Sequence, residues 1–145
     1  LGNLNGSLKI NLDNIDNEFI KKGQISFLIN ENSIVMDKSS FKIDGGIIKS
    51  KILYLEDKGD LIFLTKNLLE IKNKKEFTKK FLIKSDKIKN INKINFNLSK
   101  NIDTGEINIS EIKINDVKNK SLFNQIYKAR NIQELRSLLK KILNT

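Results

Sequence analysis

The side chains best spaced for chemistry in this 145-residue chain are the acidic run Glu56-Asp57-Lys58-Gly59-Asp60 and the step Asp44-Gly45-Gly46. Three carboxylates around a glycine could cradle calcium, but this run lacks the alternating oxygen ligands and terminal bidentate Glu of an EF-hand loop. Acidic residues and glycine also gather in tight turns for backbone reasons alone. Asp44-Gly45-Gly46 lacks the Lys-Ser/Thr pair that completes a phosphate loop, and no serine sits in a Gly-x-Ser-x-Gly elbow. The chain contains neither His nor Cys. That removes the usual general base, the thiol nucleophile, disulfides and the commonest transition-metal ligands. The expectation is a non-enzymatic protein with no catalytic residue, no cofactor and no metal site.

Charge offers a second kind of site. The net charge of +10 lies almost wholly in two segments, Lys72–Lys93 at +7 and Ser121–Thr145 at +4. Such a distribution predicts two local basic surfaces that could face an anionic partner. The candidates are Lys74, Lys75, Lys79 and Lys80 in the first segment, with Lys128, Arg130, Arg136, Lys140 and Lys141 in the second. A basic nucleic-acid-binding module is one alternative, because lysines can neutralise phosphates. However, Phe77 and Phe81 stand four residues apart, which is helical spacing, whereas single-strand binders place aromatics on a sheet platform. The two rings therefore read as core anchors and the lysines as a solvated face, which makes nucleic acid the unlikely partner.

The elements that must position these groups are mostly strands. Leu8, Ile10 and Leu12 alternate with polar residues, as do Ile25, Phe27 and Ile29, which places each set on one face of a strand. Ile34, Phe41, Ile43, Ile48, Ile52, Ile94, Phe96, Ile107 and Ile109 extend the same period. Asn30-Glu31-Asn32, Asp44-Gly45-Gly46, Glu56–Asp60 and Asp103-Thr104-Gly105 supply the turns. Leu61–Leu64 is continuously apolar and suits a strand covered on both sides, with Leu68, Leu69 and Ile71 as a further short strand or the start of a helix. Ile112 and Ile114 have the opposite parity to Ile107 and Ile109. An irregularity is therefore predicted at Ser110-Glu111, without which the later side chains would face the wrong way.

Phe77 and Phe81 mark a short helix with Lys79 and Lys80 exposed. Leu122, Ile126, Ile132, Leu135, Leu139 and Ile142 fit a C-terminal helix face, with Ser121 as a candidate N-cap and Asn131 as a candidate break. The predicted fold is mainly β, a twisted antiparallel meander with a groove-like apolar face. Residues 1–120 form the sheet, with a basic insertion over 72–93, and residues 121–145 form a helical segment that packs on it. A helix of about 20 residues spans ~30 Å and covers only part of so wide a sheet. An uncovered strip would be an apolar groove that solvent disfavours; a closed core in a purely structural scaffold is the other possibility.

The openings Gly2-Asn3-Leu4-Asn5-Gly6-Ser7-Leu8-Lys9-Ile10, Asp44-Gly45-Gly46-Ile47-Ile48-Lys49-Ser50 and Asn101-Ile102-Asp103-Thr104-Gly105-Glu106-Ile107-Asn108-Ile109 resemble the Gly-spaced strand openings of AsmA-like proteins. The order of strands and the segment Ile126–Arg136 resemble the C-terminal part of such a chain. The resemblance implies a periplasmic fragment of a long envelope protein anchored in the inner membrane, whose repeated β-groove carries phospholipid. On that reading the apolar face lines the groove, upstream β-repeats of the parent chain pair with the Leu8–Leu12 edge, and the basic residues meet anionic headgroups at the membrane surface.

Overall fold

The computed structural model describes residues 5–13, 15, 20–30, 33–57, 60–118, 122 and 124–144. Among the described residues eight strands form one sheet whose spatial order is the sequence order: β1 (Gly6–Leu12), β2 (Ile20–Asn30), β3 (Ser33–Ile43), β4 (Gly46–Asp57), β5 (Asp60–Ile71), β6 (Lys93–Asn101), β7 (Ile107–Ile114) and β8 (Tyr127–Ala129). Every neighbouring pair is antiparallel. Among the described residues three helices accompany them: α1 (Lys74–Phe81) and α2 (Ser85–Ile88) between β5 and β6, and α3 (Ile132–Asn144) after β8. The mainly antiparallel β fold with short helices follows the alternation read from the sequence.

The register explains how one face stays apolar across the sheet. Leu8 pairs with Phe27, Ile10 with Ile25, Phe27 with Met36, Phe41 with Ile48, Ile48 with Leu69, and Leu69 with Ile94. Side chains of directly opposed residues share a face, so these residues form continuous rows. The irregularity expected at Ser110-Glu111 is present. Glu111 has a φ of 52°, and the β6–β7 register shifts between Asn95 and Asn97. This extra residue returns Ile112 and Ile114 to the face of Ile109. A second shift, between Gln24 and Ser26 opposite a positive-φ Lys38, has no counterpart in the sequence reading. β5 is a single strand through Leu68, Leu69 and Ile71 rather than two pieces, and Ile62, Phe63 and Leu64 are half-buried rather than covered on both sides.

The insertion 72–93 is a structural layer as well as a charged one. Asn73 caps α1, its Oδ1 accepting from the Glu76 N–H at 3.1 Å, which satisfies an otherwise unpaired helix donor. Phe77 and Phe81 face inward with ring centroids 4.6 Å apart and are 1% and 5% exposed. Ile83, Ile88 and Ile91 are buried with them. The Asn115 side chain ties the layer to the sheet. Its Oδ1 accepts from the N–H groups of Asn92 and Lys93 while its Nδ2 donates to the Asn90 carbonyl.

From Tyr127 onward the C-terminal segment is helical only after Asn131, whereas the predicted helix face begins at Leu122. Tyr127–Ala129 adds a strand to β7, and Ile126, placed by periodicity on a helix face, is exposed. The chain breaks at Asn131, as its position suggested. Asn131 Oδ1 accepts from the Glu134 N–H at 2.9 Å, and the Glu134 carboxylate accepts from the Arg130 N–H at 2.8 Å. This reciprocal capping fixes the start of α3. Ser121, the candidate N-cap, lies outside the described residues. In α3, Leu139, Ile142 and Leu143 pack over Ile94, Phe96, Ile109 and Ile112, so the helices close the β5–β7 half of the apolar face.

Candidate functional site

The apolar face divides into two environments. Under the helices lie Ile43, Ile94 and Ile109, 4%, 3% and 1% exposed, in one cluster with Leu69, Ile71 and Phe77. Ile48 and Phe96 pack against that cluster's margin, and Ile107 is half-buried. Toward the β1 edge the cover ends. Leu12, Ile25, Phe27, Ile29 and Phe41 are half-buried, while Leu8 and Ile10 are 49% and 39% exposed. Ile52 shares the face by register, opposite Thr65, but its side chain lies outside the described residues. Cover thus varies with position: the face is buried over β5–β7 and at Ile43, and its exposure rises towards the β1 edge.

Local packing shapes the open half. Gly23 stands opposite Phe41 in the β2–β3 register, and a Cβ at Gly23 would come within 2.8 Å of the Phe41 ring. The ring therefore lies over bare backbone and forms a smooth apolar floor between Leu12 and Ile48. Ser39, fully buried, and Ser50 meet in register at the inner margin. Ser39 Oγ accepts from the Ser26 N–H, and the Ser50 hydroxyl donates to Asn67 Oδ1. Both hydroxyls are thus engaged internally, which leaves the strip beyond them aliphatic and aromatic.

Charged contacts lock the closed half to the hairpin beside the strip. Lys21 pairs with Asp44 and Glu76, and Lys80 reaches Asp44 at 3.5 Å. The Lys21 ammonium, with help from Lys80, holds the Asp44 carboxyl below its ordinary range. The Asp44 and Glu76 carboxylates in turn raise Lys21. On the other face, Lys49 and Lys72 donate to Glu70 and lower it to about 2. Lys128 lowers Glu106, and Lys93 lowers Asp116.

These contacts change the picture of the basic surface. Lys80, expected to be exposed, is half-buried against Asp44. Lys74 donates to the Lys89 carbonyl, Lys128 pairs with Glu106, and Arg136 donates to the Lys80 carbonyl at 2.7 Å. Those four hold the fold together. Lys75, Lys79, Arg130, Lys140 and Lys141 are exposed. Glu56, Asp57 and Asp60, weighed as a calcium loop, have side chains outside the described residues. Among the described residues no three acidic side chains converge on one point.

Comparison with protein-family models, curated proteins and solved structures finds no match. Among the described residues no helix is long and apolar enough to cross a membrane. The sequence reading did miss one feature. Lys38, Lys49, Lys51, Lys66 and Lys113 converge on the sheet face opposite the helices. They are spread over four strands, and only the register brings them together.

Proposed function

We propose that this chain is a non-enzymatic segment of a periplasmic β-groove, part of an AsmA-like envelope protein anchored in the inner membrane. In this role its uncovered apolar face lines a path for phospholipid acyl chains. The observation that carries the reading is the exposure of Leu8 and Ile10 at the end of a row that continues through Ile25, Phe27 and Phe41. Solvent disfavours a contiguous apolar strip of this kind. The described side chains of the strip offer no hydrogen-bonding group to orient a polar ligand, and sites for polar molecules carry such groups. An acyl chain asks only for apolar contact, worth about 25 cal/mol per Å² removed from water.

The outer edge of β1 has no partner strand among the described residues. A preceding β-repeat pairing there would extend the strip into a longer groove and cover an edge otherwise prone to aggregation. Lys75, Lys79 and Lys140 would contact anionic headgroups at the membrane surface, where each basic residue contributes roughly 1 kcal/mol.

Native mass spectrometry of the purified protein, followed by solvent extraction and lipid analysis, tests the proposal. Phospholipid co-purifying at a defined stoichiometry is the expected result. A clean protein mass with no uptake of added fluorescent phospholipid would overturn it in favour of a structural scaffold.

A further inference from the structure

The sheet face opposite the helices carries a feature that neither the core nor the apolar strip explains. Lys51 and Lys66 stand directly opposite each other in the β4–β5 register. Like charges in that position destabilise a sheet, and neither lysine has a carboxylate partner among the described residues. Around this pair the surface dips into an open depression of about 620 Å³, with Lys38, Lys49 and Lys113 on its rim. Glu111 and Asp116 are the carboxylates that line it, and Asp116 is engaged by Lys93. Lys49 is engaged by Glu70. The lining is therefore basic overall, and the uncompensated charge is concentrated at Lys51, Lys66 and Lys38.

We propose that this depression binds a multiply phosphorylated anion. The Lys51 and Lys66 ammonium groups would take its central phosphate oxygens, and the Asn97 amide, on the adjoining strand, would donate to its flank, while the neighbouring Asn95 amide is engaged by Asp116. Lysine serves phosphate as a compact point charge. The footprint is larger than one phosphate. Lys49 and Lys113 are three strand spacings apart, about 14 Å, and Lys49 and Lys51 lie about 7 Å apart along one strand. Among the described positions on this face of β2–β7 there is no aromatic residue, so a single nucleic-acid strand would find no platform for its bases. The site is independent of the acyl-chain reading, because the two occupy opposite faces of the sheet.

Isothermal titration of the full chain with inorganic tripolyphosphate tests this. Saturable binding is expected, weakened about tenfold or more in the double variant Lys51→Gln/Lys66→Gln. It should stay within about twofold of the parent in Lys9→Gln/Lys89→Gln, which removes equal charge from exposed positions elsewhere. The first variant should melt no lower than the parent, because a repulsive pair has been removed. No binding by the parent, or equal loss in both variants, would overturn the site. Oligothymidylate that bound more tightly than tripolyphosphate through the same lysines would also overturn it, in favour of nucleic acid. Co-sedimentation with phosphatidylcholine vesicles containing phosphatidic acid, lost with Lys51 and Lys66 and reversed by tripolyphosphate, would support the site with a lipid headgroup as the phosphate source. Tripolyphosphate binding without vesicle binding would support it with a free phosphorylated molecule.

Discussion

Gly45 lies directly beneath the first turn of α1, so close to Phe77 that no side chain fits between them. A Cβ at Gly45 would lie 2.5 Å from the Asn73 carbonyl oxygen and 2.7 Å from Phe77 Cβ, and the residue's φ is +74°. Its carbonyl also accepts from the N–H groups of Lys72 and Asn73, at 2.9 and 3.0 Å. The β3–β4 turn and the start of the helical layer are thus a single joint. Through it the hairpin next to the open strip is fixed to the cover over the closed half.

Gly45→Ala should therefore cost more than ~2 kcal/mol, combining left-handed backbone strain with a clash against main chain that cannot move aside. Urea denaturation followed by far-ultraviolet circular dichroism gives the value. Phe77→Ala, which empties a fully buried site, should cost about 3–5 kcal/mol. A Gly45→Ala protein as stable as the parent would mean that the joint is looser than its geometry.

Acid should destabilise the protein in a defined window. Glu70 titrates at about 2 when folded against 4.5 ordinarily, and Asp44, Glu106 and Asp116 are also lowered. A depressed carboxyl contributes stability that is fully present above its unfolded pKa and is lost as pH falls through the folded one. Stability should thus decline from about pH 4.5 down towards pH 2. Glu70→Gln should shallow that decline without abolishing it, since three other carboxylates remain. Lys21 acts with the opposite sign. Its raised pKa adds stability below 10.5 that is lost as pH rises beyond its folded value. Thermal melts across both ranges, on parent and variant, check the two limbs.

How much of this could be read from the sequence depends on the range of the signal. The alternation of Leu8, Ile10 and Leu12, and of Ile25, Phe27 and Ile29, fixed their shared face because period 2 is local. The bulge at Glu111 was legible for the same reason: a change of parity between Ile109 and Ile112 needs an extra residue. The shift at Lys38 left the same kind of trace, a change of parity between Met36 and Phe41, but the four polar residues between them carry no apolar alternation of their own to locate it. Tyr127–Ala129 falls within the predicted helical segment because three residues carry no period of their own, and their strand state depends on the open edge of β7. Ile88 and Ile91 were hidden within a lysine-rich stretch whose charge dominates its composition. The Lys51/Lys66 pair, brought together only by cross-strand register, had no signal along the chain.

The open strip makes a prediction that separates binding from folding. Leu8→Asn/Ile10→Asn changes two residues already 49% and 39% exposed at the sheet edge, so stability should fall by no more than about 1 kcal/mol. Uptake of fluorescent phospholipid should fall several-fold, because the apolar row is interrupted where a chain would enter. A matching change in the closed half, Ile109→Asn, should unfold the protein by burying an unpartnered amide. Equal lipid uptake by Leu8→Asn/Ile10→Asn and by the parent would place any lipid elsewhere.

The last expectation concerns which basic residues remain available to a membrane. Lys74, Lys80, Lys128 and Arg136 are committed to internal partners, so reversing them would confound folding with binding. Lys75, Lys79 and Lys140 are exposed and give the cleaner test. At roughly 1 kcal/mol for each basic residue near an anionic surface, Lys75→Glu/Lys79→Glu/Lys140→Glu should weaken sedimentation with anionic vesicles by about a hundredfold or more. Its melting temperature should stay close to that of the parent, as expected for solvent-facing sites. The effect should shrink as salt is raised, because exposed charges are screened beyond ~10 Å at 0.1 M ionic strength. Vesicle binding that survives the triple reversal would assign the attraction to the opposite sheet face, where Lys51→Gln/Lys66→Gln would then abolish it.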